Sequence, residues 1–574
     1  MKFAAVVLLL AFASFAYAES PEQITAVAKS KTWLRLLHFD QKSGKSEIVN
    51  PEFFYSPAGA TRPDLELVAN IEQIKNENEK TAEKDRYSCR FPARQRFIAE
   101  RFGIEARFKC PTFEAFRAEA DPDSINFIYA SQYVGNPASA FGHSFLRFDH
   151  ASHAKLLGYA LTYFAKVDPK DKGGLTYAYK GLFGGFEGQY EFSRYYPKTH
   201  MYSSAENRDM WEYSLNLTAE ERRRIFEHAY ELSNAGQAKY FFLDRNCTFQ
   251  LLRLLEVANE NLDLASVGDT FFLTPQDTVK ILANAKLLGD SSLRPSLRQK
   301  AFAYYSALDE QNQKLLHEVL NKTLEPEKIH DPMTASALVA TLAIDESKGD
   351  STPEQSQMFS RMTKVRSQLP VVALPSSPFE NSASQNPLYG HDTFQANVGS
   401  VKTESGNALQ VGFRPAVHAL NDYAVGFLPN TQLVFMDTSL RIQNEESQTK
   451  VRLQELTFID IKSLPSYSVI NDQFSWTTQL ALKPVLASDC EDCHQLRSAV
   501  LLGYSKDFAP STLGYALVGP TLDAYQPEDA VALRVGPSVV AGVLSRDIHQ
   551  FVLKLEGRLD NYLLGPSGEE SLFS

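Results

Sequence analysis

Cys247 lies in Asp244-Arg245-Asn246-Cys247-Thr248-Phe249-Gln250-Leu251-Leu252, in a chain with five cysteines. The other four sort into two local pairs, Cys89 with Cys110 and Cys490 with Cys493, which leaves one thiol alone. The chain opens with Met1-Lys2, an apolar run from Phe3 to Phe15 and Ala16-Tyr17-Ala18, which has the form of a signal-peptidase site. The expected mature chain begins at Glu19 and lies outside the inner membrane. An unpaired thiol in an oxidising compartment is either a liability or a nucleophile. The position of Cys247 reads as the first turn of a helix, where the dipole lowers a thiol pKa and favours thiolate. The expectation is a nucleophile.

A thiol nucleophile needs a base. The candidate is His143 in Ser139-Ala140-Phe141-Gly142-His143-Ser144-Phe145-Leu146-Arg147, at the start of a predicted strand and after a glycine that permits close approach. Taken alone, a strand histidine is more often structural; the lone exported cysteine is what favours chemistry. Other motifs carry less. Cys490-Glu491-Asp492-Cys493-His494 matches the haem-attachment pattern, but in a polar hairpin loop a local disulfide is the better reading. His143, His150 and His153 are close in sequence, yet the last two fall in a polar turn, so no metal and no cofactor is expected. Glu220 and Glu221 are explained by the dipole of the helix they begin.

The elements that must position these residues follow from periodicity. Residues 19–120 read as helical, with Cys89 and Cys110 closing a loop as a disulfide. Residues 121–260 read as a small α+β domain. Its strands are expected at Ile125 to Val134, Phe141 to Phe148, Leu156 to Phe164, Thr176 to Lys180, Tyr190 to Tyr195, Trp211 to Leu215 and Tyr240 to Leu243. Thr218-Ala219-Glu220-Glu221 is a capping box for a helix ending near Gly236. Residues 261–368 return to helical spacing, with Thr274-Pro275 a helix start. A proline-rich linker occupies 369–390. From 391 to 574 the pattern has period two, as in Phe474, Trp476, Leu480 and Leu482, or Phe551, Leu553, Leu555 and Leu559. Small polar or charged residues keep to one face strand after strand. That predicts an all-β antiparallel barrel of nine or ten strands in an outer membrane, with a soluble β-sandwich as the alternative. The ending Ser571-Leu572-Phe573-Ser574 is not a clear closing strand, so an irregular barrel or an incomplete sequence is expected.

Four blocks resemble the Lnb N-terminal periplasmic domain family. They are Gly142 to Arg147, Gly181-Leu182-Phe183-Gly184-Gly185-Phe186-Glu187-Gly188, Arg208-Asp209-Met210-Trp211-Glu212-Tyr213, and Tyr240 to Cys247. The family is similar to permuted NlpC-type (papain-like) thiol enzymes, in which the histidine strand precedes the cysteine helix, as here. The resemblance implies a papain-like α+β fold, Cys247 as acyl carrier and His143 as proton shuttle, in a thioester mechanism on lipoprotein acyl chains. It also implies an orienting group for His143, for which Tyr159 and Thr162 on the following strand are candidates. The backbone N–H of Cys247 is the expected oxyanion donor. Asn246 and Glu187 are candidate rim residues, although the glycines around Glu187 fit tight turns equally well. That run lacks the ending of a phosphate loop.

This chain departs from the family's anchored members, which carry membrane helices, because no stretch after the leader is long and apolar enough for one. With 69 acidic against 58 basic residues and a net charge of −11, it has no basic patch suited to nucleic acid. Three readings follow: a cysteine-dependent acyl transferase or hydrolase on lipoprotein or lipid acyl groups at the outer membrane, an NlpC-type peptidoglycan peptidase, or an envelope-binding outer-membrane protein without catalysis.

Overall fold

The computed structural model describes residues 20–134, 139–168, 170, 174–270, 272–376, 385–403, 406–445, 448–485, 493–509, 511–525, 532–548, 551–564 and 569–573. Helices and two large antiparallel sheets make it α+β. No helix among the described residues is long and apolar enough to cross a membrane.

The N-terminal region is helical, as its spacing predicts. Helix α1 (Pro63–Asn76) and helix α2 (Pro92–Phe102) each start on a proline, whose missing N–H costs nothing there. Gly103, at φ 69°, ends α2 in the left-handed conformation. Cys89 and Cys110 form the expected disulfide. These helices are not a separate body. Trp33, Leu67, Ile71, Phe97 and Ile98 share one continuous apolar core with the sheet that follows.

That smaller sheet has seven strands: β1 (Ser124–Ala130), β2 (His143–Asp149), β3 (Tyr159–Lys166), β4 (Phe186–Arg194), β5 (Met210–Leu215), β6 (Gln237–Tyr240) and β7 (Leu288–Arg294). Their order is β6-β4-β3-β2-β1-β5-β7, and all pairs are antiparallel. Between them lie helix α3 (Gly174–Leu182), helix α4 (Ala219–Ala235), helix α5 (Cys247–Leu255) and helix α6 (Pro275–Asn284). The capping box of Thr218 with Glu221 forms as read from sequence, and the helix start at Thr274-Pro275 is capped by a second box, Thr274 with Asp277.

Three expectations are corrected. The stretch Thr176 to Lys180 is helical, within α3. Tyr177 is buried against Phe186 and Phe242 while Tyr179 is exposed, a pattern that a five-residue window cannot separate from a strand. The strand expected at Tyr240 to Leu243 ends at Tyr240, because Phe241 and Phe242 leave the ladder to cover Gly184 and Gly181. The stretch 261–368, read as wholly helical, supplies β7, which pairs with β5 at the sheet's edge.

A buried charge network ties three of these strands. Arg147 of β2 meets Glu212 of β5 at 2.5 Å and Asp149 at 2.8 Å, while Arg294 of β7 and the Tyr195 hydroxyl donate to Glu212 at 2.9 and 2.8 Å. Burial, the largest single influence, would raise the Glu212 carboxyl, but Arg147, Arg294 and the Tyr195 hydroxyl together outweigh it and hold the group below its ordinary value.

The C-terminal sheet contains β8 (Gln395–Thr403), β9 (Gly406–Arg414), β10 (Ala416–His418), β11 (Thr431–Glu445), β12 (Gln448–Ser463), β13 (Ser475–Pro484), β14 (His494–Ala509), β15 (Thr512–Tyr525), β16 (Ala532–Ile548), β17 (Phe551–Asn561) and β18 (Glu569–Phe573). Neighbours pair antiparallel from β8 to β18, with β10 a side branch on β11. Among the described residues the sheet runs as a path from β8 to β18, with no ladder joining its two ends. Beside a buried apolar cluster that includes Leu501, Leu517 and Val540, much of its burial is inverted. On β14, Leu496, Val500, Leu502 and Tyr504 are exposed while Gln495, Arg497 and Ala499 are buried. Leu533, Val539 and Val543 of β16 and Leu553, Leu555 and Leu559 of β17 are likewise exposed, against buried Arg534, Ser538 and Asp560. The polar face pairs with itself: Arg497 forks onto Asp523 at 2.9 and 2.7 Å, and Lys462 meets Glu556 at 2.6 Å. It encloses a cavity of about 440 Å³ lined by Lys462, Lys483, Arg497, Asp460 and Glu556. Cys493 is disulfide-bonded; Cys490, its expected partner, lies outside the described residues.

Removing one member of a buried ion pair leaves the other uncompensated, at about 3–5 kcal/mol. Arg147→Met is therefore expected to lower stability by about that amount, read as a fall in the thermal midpoint. An unchanged midpoint would show that Glu212 is held by Arg294 and Tyr195 alone.

Candidate thiol site

Cys247 is the free cysteine among the described residues and is buried, 3% exposed. It opens α5, whose residues are buried from Cys247 to Leu252. The position of that first turn is set by Asn246. Its side-chain oxygen accepts the Thr248 N–H at 3.0 Å, and its amide donates to the Leu273 carbonyl at 2.8 Å and the Phe242 carbonyl at 3.3 Å. Asn246, expected at the rim, is instead a buried cap that fixes the backbone on either side of the thiol.

Around the thiol stands a shell of hydroxyl groups. Ser144 of β2 donates toward Cys247 Sγ at 4.0 Å and meets the Thr248 hydroxyl at 3.3 Å. The Tyr240 phenol adjoins Cys247 and is pushed well above its ordinary value, by burial first and then by the thiol. Tyr163 stacks on Tyr240, with ring centres 5.7 Å apart, and donates to the Ala238 carbonyl at 3.1 Å. None of these hydroxyl groups was singled out from sequence. Ser144 and Tyr240 do lie inside the quoted blocks beside His143 and Cys247, which is the signal that could have found them.

His143 begins the strand that carries Ser144. Gly142 before it has φ 96°, and a Cβ there would stand 2.9 Å from the Tyr129 ring and 3.1 Å from the Ala130 carbonyl, so the glycine is required for this approach. Successive strand residues face opposite ways. Ser144 accordingly meets α5, while the His143 ring lies against Tyr202 and Phe145, with centres 5.6 and 6.2 Å away. Among the described residues no hydrogen bond joins His143 to Cys247. Burial first, and then the cationic Arg208 and Lys198, push the His143 imidazole down to about 3. It is therefore neutral at physiological pH, with a nitrogen lone pair available. Arg208 is itself fixed by the Ser131 and Ala130 carbonyls at 2.6 and 2.9 Å and lies over the Tyr202 ring.

The remaining expected residues are placed elsewhere. Tyr159 pairs with Phe148, at the far end of β2 from His143, under Arg194 and against Phe116. Thr162 is buried without a hydrogen-bond partner among the described residues and pairs with Glu191. Glu187 is an exposed strand residue of β4 opposite Lys166 and Lys239. The glycines before it pack closely rather than forming a loose rim: a Cβ on Gly184 would sit 2.3 Å from the Phe241 ring.

Comparison with known proteins assigns this region. Residues 112–285 match the family model of the Lnb N-terminal periplasmic domain, so His143, the quoted blocks and Cys247 all fall inside the match. The matched domain is a periplasmic one, which supports a periplasmic location for this part of the chain. Residues 25–101 and 384–574 match two further models, each described as a domain of unknown function (DUF7843 and DUF7840). No curated protein and no solved structure matches the chain.

A histidine whose pKa falls on folding binds fewer protons in the native state than in the unfolded one, so native stability drops as pH falls below the unfolded value. For His143 that window runs from about 6.5 down to about 3, and His38 and His228 are shifted the same way. Thermal midpoints are thus expected to hold above pH 7 and decline toward pH 4, with a shallower decline in His143→Gln. Equal slopes would show that His143 is not buried as the neutral form.

Proposed function

We propose that the chain is a cysteine-dependent acyl transferase or hydrolase acting on lipoprotein or lipid acyl groups, held at the outer membrane by its C-terminal sheet. The observation that supports it most is one thiol, Cys247, at a capped helix start beside the histidine strand, inside the segment that matches the Lnb domain. In this reading His143 takes the thiol proton and the thiolate attacks an acyl ester carbonyl. The oxyanion forms beside the Cys247 N–H and the Tyr240 hydroxyl. The alcohol leaves with the proton from His143, giving a thioester. An amine or water then attacks the thioester, and sulfur takes back a proton. The His143 ring must swing from the Tyr202 face to reach sulfur. Its place at the strand end, after Gly142 and partly open to solvent, permits this, and such contacts tighten on substrate binding.

Attachment rests on the inverted sheet. An apolar face of this extent is costly in water and suits lipid, while the paired charges on the other face suit a lumen. The same strands closing into a barrel would put both faces in their preferred solvents.

Two measurements test this. Intact mass of the protein isolated from membranes should show a hydroxylamine-labile adduct of fatty-acyl size, absent from Cys247→Ala. Turnover of a diacylglyceryl lipopeptide should fall on the order of 10³-fold or more in that variant and about 10²–10⁴-fold in His143→Asn. Cleavage of peptidoglycan peptides with no acyl transfer would assign the peptidase reading instead. Full function in folded Cys247→Ala would assign a binding role. A barrel should need detergent for extraction and change gel mobility on heating; release by carbonate alone would overturn the membrane assignment.

A further inference from the structure

Three side chains from separate parts of the chain converge at the start of the C-terminal sheet. His391 follows the short turn Pro387–Tyr389, His418 ends β10, and Asp422 lies in the loop beyond it. One donor atom from each lies within 4.8 Å of the others. His391 Nε2 is 2.9 Å from His418 Nδ1, and Asp422 Oδ2 is 3.8 and 3.9 Å from the same two nitrogens. Both rings stack on Phe427 with centres 4.4 Å away, which fixes their planes.

We propose that His391, His418 and Asp422 form a divalent transition-metal site, suited to Zn²⁺, at the seam between the Lnb-matching region and the C-terminal sheet. Two imidazoles and a carboxylate are a zinc donor set, and a tetrahedral ion with bonds of 2.0–2.1 Å spaces its ligands by about 3.3 Å. The observed separations bracket that spacing, so small side-chain shifts complete the geometry. Groups that orient the donors are also in place. His391 Nδ1 lies 2.6 Å from the Asp392 carbonyl and donates to it, which leaves Nε2 as the lone-pair nitrogen facing the site. Asp422 Oδ2 is oriented by the Ala419 N–H at 2.7 Å and by Arg414. A hydrogen bond between the two imidazoles would use only the ring nitrogens and leave the carboxylate joined to neither. Because Arg414 already partly neutralises Asp422, affinity should be lower than in a closed four-ligand structural site. His418 is fully enclosed while His391 is partly open, which leaves an entry side and a fourth position for water.

The location gives the ion a role. Phe427 belongs to an apolar cluster with Ala140, Phe272 and Val417. Just beyond His391, Asp392 and Thr393 bond to Lys280 and Asp277 of α6. An ion here would clamp the linker end to the sheet directly beneath the segment that leads into His143.

The test uses the full chain, purified in detergent, stripped with chelator and titrated with Zn²⁺ alone. Expected are one equivalent bound per chain, a rise in thermal midpoint on loading, and loss of both in His391→Asn with His418→Asn, but not in Cys247→Ser. Co²⁺ loaded into the unmodified chain should give the intense visible bands of a tetrahedral site without thiolate charge transfer, a readout independent of how the variants fold. No stoichiometric uptake, equal uptake in the double variant, or a thiolate band would overturn the proposal.

Discussion

The Asn246 side chain holds the thiol site together. One amide group satisfies an orphan N–H of α5 and two carbonyls, those of Phe242 and Leu273, that would otherwise be left without partners. The strand–loop–helix turn and the segment leading into α6 are thereby fixed relative to each other. Cys247 then faces β2, where the Ser144 hydroxyl donates toward its sulfur. The shell of hydroxyl groups, the closely packed glycines of the Gly181 to Gly188 block and the capped start of α6 are all arranged around that fixed turn.

Much of this was legible in the chain because it is encoded locally. The cysteine helix, the Thr218–Glu221 capping box, the helix start at Thr274-Pro275, the Cys89–Cys110 disulfide and the period-two pattern of the C-terminal region each lie within a short window. What failed depended on register. Tyr159 and Thr162 are on the strand after His143, but only the pairing of Leu161 with Leu146 reveals that Tyr159 lies opposite Phe148. Sequence distance likewise hid Tyr202, brought to His143 by a separate helical turn, and the three side chains that meet near Phe427. Glu187 was misjudged because glycines suggested a loop where the backbone instead needed room for Phe241 and Phe242.

The two sheets solve opposite problems with the same alternation. In the smaller one, apolar strand residues pack against helices, and the buried charges of Arg147 and Glu212 are linked in one cluster with the partly exposed Arg294. In the larger one, ion pairs such as Arg497 with Asp523 are buried alongside an apolar cluster that includes Leu501, Leu517 and Val540, and further leucines and valines face outward. Between them runs a seam of aromatic contacts, Phe141 and Phe272 from one side with Phe435 from the other. Phe141 is two residues from His143, so this seam adjoins the strand that carries the histidine.

The late arrival of β7 has a consequence for how the protein is made. Chains emerge N-terminus first, and β5 has an unpaired edge until Arg294 has followed it out. During that interval Cys247 has already been made, yet the sheet that encloses it still has an open edge and Glu212 lacks Arg294. A chain paused between α5 and β7 would expose both the Cys247 thiol and a free strand edge. The interval between those two elements is when a holding chaperone or a thiol reductase would matter most to this molecule.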